Sequence, residues 1–265
     1  MIGVFDSGLG GLTVVKEILK NLPHYKIIYF GDTARTPYGT KSAETVTRYA
    51  IENTQFLLER GAKIIVVACH TVSSTAIPAL KAKFFEVPFF EVVTPSMKRA
   101  LKLTKNKKIG LIGTRTTVES NIYDKLFKEA NSEIKLYSNP TPLLVPLIEE
   151  GWVNKPETRK IVKKYLISLK MKGIDTLILG CTHYPLIKKL IQEKAGKRIK
   201  LVDPSEEVAI EVKNFLENHG EFKEKLSFNT EQNLEIYVSD ITIHFAKIAQ
   251  LFLGRRVTLK KINWE

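Results

Sequence analysis

The sequence predicts an α/β fold made of two similar, doubly wound parallel-sheet domains, and three observations carry that prediction. Short apolar runs alternate with stretches of helical periodicity along most of the 265 residues, as in a parallel sheet wound by right-handed crossovers. The run Ile2-Gly3-Val4-Phe5-Asp6-Ser7-Gly8 is matched by Ile109-Gly110-Leu111-Ile112-Gly113-Thr114. The run Ile64 to Ala68 before Cys69 is likewise matched by Thr176 to Leu179 before Gly180-Cys181. Two related lobes would set their reactive strand ends across one cleft, because the ligand crevice of an open α/β sheet lies outside the carboxyl ends of its strands.

Residues 2–5 read as the first strand, ending in the loop Asp6-Ser7-Gly8-Leu9-Gly10-Gly11, after which Leu12, Val15, Ile18 and Leu19 recur at helical spacing. The glycines suggest a sharp turn rather than a dinucleotide site, since Thr13 stands where GxGxxG requires its third glycine. A second strand, 26–30, runs into the polar loop Gly31 to Gly39, and Ser42 caps a helix reaching about Arg60. Strand 64–68 delivers Cys69, a helix from Val72 to Lys83 follows, and another strand spans 89–92.

Pro95 begins a helix, and strand 108–112 ends in Gly113-Thr114-Arg115-Thr116-Thr117. Thr116 and Glu119 have capping-box spacing, which leaves Thr117 for a ligand. Strand 134–137 leads to a proline-rich turn at 139–142, a short helix at 143–150 carrying Glu149, a helix at 156–170 and the strand 174–179 before Cys181. A strand at 200–203, a helix at 205–217, a polar surface loop at 218–233, a strand at 235–238, a helix through Phe245, Ile248 and Phe252, and a strand at 257–259 complete the reading.

Hydrophobic residues make up 44% of the chain, which is normal for a protein with a sizeable core. No apolar run approaches the roughly 20 residues that span a bilayer, and the start lacks the layout of a signal peptide. No membrane association and a cytoplasmic location are expected, and the two cysteines are read as free thiols. The 41 Lys and Arg against 28 Asp and Glu give a net charge of +13. These lysines are dispersed without interleaved aromatics, so a solvated basic surface is expected rather than a nucleic-acid site.

Two thiols suit one reaction in particular. Inverting an α-carbon requires a base on each face, and a thiol with a pKa of about 8.5 can serve as thiolate on one side and as acid on the other. Asp6 is positioned to assist one thiol. His183, two residues beyond Cys181, with Glu149 behind it, is positioned to assist the other. Backbone amides of the Ser7-Gly8 and Tyr38-Gly39 turns, with the hydroxyls of Thr71, Thr117 and Thr182, are candidate donors for the charge that develops on the substrate.

These residues fall in motifs with a known likeness. DSGLGG at 6–11, GDTARTPYG at 31–39, ACHT at 68–71, GT with Thr117, PLIEEG at 146–151 and GCTHYP at 180–185 resemble the glutamate racemase family of the aspartate/glutamate racemase superfamily. The resemblance covers residues 1 to about 205 with order and spacing kept. It implies a cofactor-independent two-base racemase that supplies D-glutamate for peptidoglycan, with no metal, and a homodimer is plausible for the family. It also implies that the C-terminal segment rejoins the first domain, giving domains 1–93 plus 206–265 and 94–205.

Carried over by motif, Cys69 deprotonates D-glutamate and Cys181 deprotonates L-glutamate, with Asp6 assisting the first and His183 the second, and Glu149 matching the family's acidic residue. Ser7, Tyr38, Gly39, Thr71, Thr117 and Thr182 match substrate-binding positions. At the position of His70 the family usually has a substrate-contacting asparagine, so His70 is a candidate contact and a candidate source of altered specificity toward a related acidic amino acid. Two other readings compete with this one. A zinc site of Cys69, His70, Cys181 and His183 is disfavoured by ligand spacing, and a binding protein that kept the fold without the reaction would show no exchange at the α-carbon.

Overall fold

Ten strands form two sheets among the described residues, and every pairing between neighbours is parallel. The computed structural model describes residues 1–226 and 233–262, with residues 243 and 244 described by main chain alone. The chain divides into two units, residues 1–92 with 205–265 and residues 93–204.

In chain order the first unit begins with β1 (Ile2–Asp6), α1 (Leu12–Asn21), β2 (Ile27–Gly31), α2 (Ala43–Glu59), β3 (Ile64–Val67), α3 (His70–Thr75), α4 (Ile77–Lys83) and β4 (Phe89–Glu91). The second unit contains α5 (Val93–Leu103), β5 (Lys108–Gly113), α6 (Arg115–Glu119), α7 (Ile122–Ala130), β6 (Lys135–Pro140), α8 (Leu144–Glu149), α9 (Pro156–Met171), β7 (Thr176–Gly180), α10 (Lys188–Ala195) and β8 (Lys200–Val202). The chain then returns to the first unit through α11 (Pro204–Asn218), α12 (Gly220–Lys225), β9 (Leu234–Val238), α13 (Ile243–Leu253) and β10 (Leu259–Lys261).

The two sheets repeat one plan. In the first, the order is β10-β9-β2-β1-β3-β4; in the second it is β6-β5-β7-β8. Each has a strand (β1 or β5) from which the order runs one way to the next strand in sequence and the other way to the cysteine-bearing strand (β3 or β7). That reversal is the topological switch point, where parallel sheets open a crevice at their carboxyl ends. β1, β2 and β7 are buried at every residue because helices cover both faces, so they read as continuous apolar runs rather than alternating ones. In the second unit, Leu177 and Leu179 pack with α8, α9 and α10 on one face, while Ile178 packs with α5 and α7 on the other. Phe5, Phe30 and Val67 pack against α2 through Val46, Phe56 and Leu57.

Several local expectations change. The helix expected from Val72 to Lys83 is two helices, α3 and α4, separated at Ala76. Pro78 lacks the amide a continuous helix would use and would clash with the preceding turn. The N-cap of α6 is Thr114, whose hydroxyl accepts from the Thr117 amide at 3.3 Å, and not Thr116 as the capping-box spacing suggests. β6 runs on through Asn139 and Pro140 rather than ending before a turn, which an edge strand permits because the missing donor costs it little. The expected loop at 218–233 contains α12, residues 227–232 lie outside the described residues, and the last strand lies two residues later than expected. Among the described residues no helix is long and apolar enough to cross a membrane.

Candidate active site

At the switch point of the first unit, Asp6 closes β1 and Cys69 follows β3 as the residue preceding α3. Two close approaches shape this end. A side chain at Gly31 would place its Cβ 2.2 Å from the Gly8 carbonyl oxygen, so only glycine lets β2 pass under the DSG loop. The Tyr29 hydroxyl, fully buried, donates to that same carbonyl at 2.8 Å and holds the loop from below. Asp6 accepts from the Gly8 amide at 3.1 Å, so this expected substrate donor serves the carboxylate.

Cys69 is buried and lies 3.6 Å from the Ser7 hydroxyl. Burial, and after it the charge of Asp6, push its thiol up to about 12. His70 opens α3, which packs against β3, α2, α4 and the single turn Tyr38–Thr40. The residue is 2% exposed, and neither ring nitrogen has a hydrogen-bond partner among the described residues. Burial pushes its pKa down to about 3, so it is neutral at physiological pH.

The loop after β2 is fixed by a buried polar network. Asp32 accepts from Arg35 Nε at 2.6 Å, from Ser239 Oγ at 2.9 Å and from the Tyr38 hydroxyl. The same Tyr38 oxygen accepts from Asn53 Nδ2 at 3.1 Å, and Arg35 also pairs with Glu52. Burial and then the Asp32 charge raise the Tyr38 hydroxyl far above its usual range, keeping it protonated as the donor. Tyr38 can therefore offer a ligand its main chain rather than its hydroxyl. The Ala34 amide donates to Ser239 Oγ at 2.9 Å, so the returning C-terminal segment is part of what holds this loop.

The second unit builds its own end from β5 and β7. A Cβ at Gly180 would meet the Ile112 carbonyl oxygen at 2.7 Å, so the β7 terminus also needs glycine. Cys181, buried, lies 3.7 Å from His183 Nδ1, and His183 Nε2 lies 2.9 Å from Glu149 Oε1 at the end of α8. Burial opposes charge on this imidazole, but the hydrogen bonds to Cys181 and Glu149 outweigh it and raise the pKa to about 10. A cationic ring donates to both partners.

Tyr184 is fully buried and its hydroxyl meets Thr141 Oγ1 at 2.5 Å, anchoring the turn that follows Cys181. Thr117, expected to be open to a ligand, shares a 2.9 Å hydrogen bond with the Thr114 hydroxyl, which takes up one position of a group that has one donor and two acceptor positions.

The structure thus gathers Asp6, Ser7, Cys69, His70 and Thr71 at the carboxyl end of one sheet, with Tyr38 and Gly39 on the turn that packs against α3. Thr117, Glu149, Cys181, Thr182 and His183 lie toward the carboxyl end of the other. Sequence reasoning missed Tyr29, Asp32, Arg35, Asn53 and Ser239. Asp32 and Arg35 lie inside GDTARTPYG and carried a signal as charged residues in a strand-end loop. Asn53 and Ser239 carried none. Among the described residues no group of three or more His, Cys, Asp or Glu is arranged to hold a metal ion.

The sequence profile of the Asp/Glu/Hydantoin racemase family matches residues 2–211. The chain belongs to that family. It is 45% identical to the glutamate racemase of Geobacter metallireducens over 97% of this chain and 93% of that one. Among solved structures, the glutamate racemase of Bacillus anthracis superposes with a TM-score of 0.92 at 36% identity, covering 99% of this chain and 97% of that one. The glutamate racemase of Francisella tularensis, solved in complex with D-glutamate, gives a TM-score of 0.90 at 36% identity with the same coverage. Family membership makes the chain an amino-acid racemase, and the two cysteine-bearing strand ends are the family's fold seen in this sequence.

Proposed function

We propose that this chain interconverts L- and D-glutamate without a cofactor, with Cys69 and Cys181 as the two bases. One thiolate removes the α-proton while the other thiol delivers a proton to the opposite face, and the roles exchange in the reverse direction. The observation that carries the reading is the hydrogen-bonded series Cys181–His183–Glu149, in which a buried thiol has a cation poised to stabilise its thiolate. Supporting it is the substrate in the names of close relatives, one of them solved with D-glutamate.

Cys69 takes its proton from D-glutamate and Cys181 takes its proton from L-glutamate. Asp6, beside Cys69, relays its proton, and His183 with Glu149 does so for Cys181. Ser7, the Tyr38-Gly39 main chain, Thr71, Thr117 and Thr182 hold the substrate's amino and carboxylate groups, where preorganised donors give the largest stabilisation of developing charge. The product supplies peptidoglycan synthesis in the cytoplasm, and the working form is a homodimer.

Incubation with L-glutamate in deuterated water tests this. The expected result is decay of optical rotation to zero with deuterium at the α-carbon. No exchange with either glutamate or aspartate would rule out the racemase reading and leave a binding protein on the same fold.

A further inference from the structure

One cavity of the first unit shares no residue with the two cysteine-bearing strand ends. It has a volume of about 560 Å³ and is lined by Glu44, Thr47, Arg48, Ile51 and Glu52 of α2 and by Lys83, the last residue of α4. The α2 residues recur at helical spacing and so form one stripe, in which Ile51 packs on the core as an apolar floor. The volume falls in the range of small-molecule sites, roughly 300–1,000 Å³.

Glu44, Arg48 and Glu52 stand four residues apart, the spacing at which opposite charges on a helix normally close into pairs. Among the described residues none of the three pairs with another. Arg48 leans over the Tyr49 ring, 5.3 Å from its centroid, and Lys83 lies 5.8 Å from the centroid of Phe84. Glu44, Arg48 and Lys83 are exposed and make no ion pair among the described residues, while Glu52 pairs with Arg35.

Two uncommitted cations and one uncommitted carboxylate therefore border an apolar floor. Their complement is a small molecule with two carboxylates and one ammonium. We propose that this cavity is a second binding site, which takes an acidic dipeptide with its carboxylates on Arg48 and Lys83, its ammonium on Glu44 and its backbone over Ile51. Glu52 connects the site to the loop after β2. Its partner Arg35 also donates to Asp32 at 2.6 Å and to Asn53 Oδ1 at 3.1 Å, and Asp32 and Asn53 both hold the Tyr38 hydroxyl. An ammonium in the cavity competes with Arg35 for the Glu52 carboxylate, so occupancy loosens the Tyr38–Thr40 turn. Binding stands apart from the glutamate reading given above, and only the effect on turnover rests on it.

The test adds L-alanyl-L-glutamate to the ¹⁵N-labelled full chain. The nitrogen of its glutamate is an amide, so the probe lacks the free amino group of an amino-acid substrate. The Thr47, Arg48 and Ile51 amides should shift saturably, and those of Tyr38 and Gly39 with them. Arg48→Gln combined with Lys83→Gln should weaken binding about tenfold, the scale of two exposed ion pairs. Glu52→Gln should keep the α2 shifts and abolish those at Tyr38 and Gly39. In turnover, saturating dipeptide should raise KM for glutamate about fivefold, the low end of ordinary coupling between sites.

Shifts at Ser7 and Thr71 with none along α2 would put the dipeptide at the substrate site and overturn the proposal. So would native affinity in the double variant, or no saturable shift anywhere. Shifts along α2 that leave Tyr38 and Gly39 unmoved would overturn the connection through Glu52. A chain without any α-carbon exchange refutes the glutamate reading and removes only the KM measurement, since the amide shifts still decide the site.

Discussion

The two sheet ends hold the same chemical group in opposite surroundings. Each has a buried cysteine, and each has a buried histidine within two residues of it: His70 beside Cys69 and His183 beyond Cys181. Burial disfavours the cation at both. At His70 no hydrogen-bond partner among the described residues opposes it and the pKa falls to about 3; at His183 the hydrogen bonds to Cys181 and Glu149 reverse the outcome and lift it to about 10. Hydrogen-bonded partners, and not depth of burial, decide whether an enclosed imidazole carries charge here. The thiols differ accordingly. Cys181 has a cationic imidazole as its neighbour, while Cys69 has a hydroxyl and a neighbouring carboxylate that opposes its ionisation.

If both ends serve one reaction despite this difference, neither can be spared. Cys69→Ala and Cys181→Ala should each lower racemisation by about 10³-fold or more, the scale of a lost general acid–base group. Because L- and D-glutamate are equal in free energy, kcat/KM must fall by the same factor in both directions for each variant, even though the thiols work on opposite enantiomers. Polarimetry from each enantiomer checks this, and full activity in either variant would refute the two-base mechanism.

The asymmetry between the thiols can be reduced directly. Asp6→Asn removes the carboxylate charge that helps raise Cys69, so its thiol should ionise at a pH below the native value of about 12. Burial is the larger cause and is untouched, so the pKa should remain above the ordinary value of about 8.5. Thiolate absorbance near 240 nm, followed against pH in a Cys181→Ala background, reads this. An unchanged or higher midpoint would mean that Asp6 does not act on Cys69 through its charge. Turnover should fall at the same time, since the proton partner of Cys69 is lost.

How much of this contrast the sequence carried depends on distance along the chain. The repeated plan of the two sheets was legible because each strand, loop and cysteine is a contiguous run. The partnership of Cys181 with His183 was legible for the same reason, being two residues apart, and Glu149 was found through its motif. The capping of α6 was misread by two residues because Thr114, Thr116 and Thr117 compete for one role, and which hydroxyl reaches an amide depends on backbone angles that composition does not encode. The network that commits the Tyr38 hydroxyl to Asp32 was not legible. Its members Asn53 and Ser239 come from a helix and from a strand end more than 200 residues downstream, brought in only when β9 pairs with β2. The solitude of His70 is likewise a property of packing, since the sequence shows a histidine but not what surrounds it.

The smallest effect, confined to stability, separates the two histidines by sign. His70 is depressed in the folded chain, from about 6.5 when unfolded to about 3. Below pH 6.5 the unfolded chain gains a proton that the folded one refuses, so stability present above 6.5 is lost as the pH falls toward 3. His183 is raised to about 10. The stability it contributes is fully present below pH 6.5 and is lost as the pH rises through 10. Each slope is limited to about 1.4 kcal/mol per pH unit, the value for one proton. Urea midpoints measured against pH should therefore show His70→Leu flattening the acid-side loss and His183→Asn flattening the alkaline-side loss. Were both substitutions to flatten the same side, the two rings would share one charge state, and the contrast drawn from their partners would be wrong.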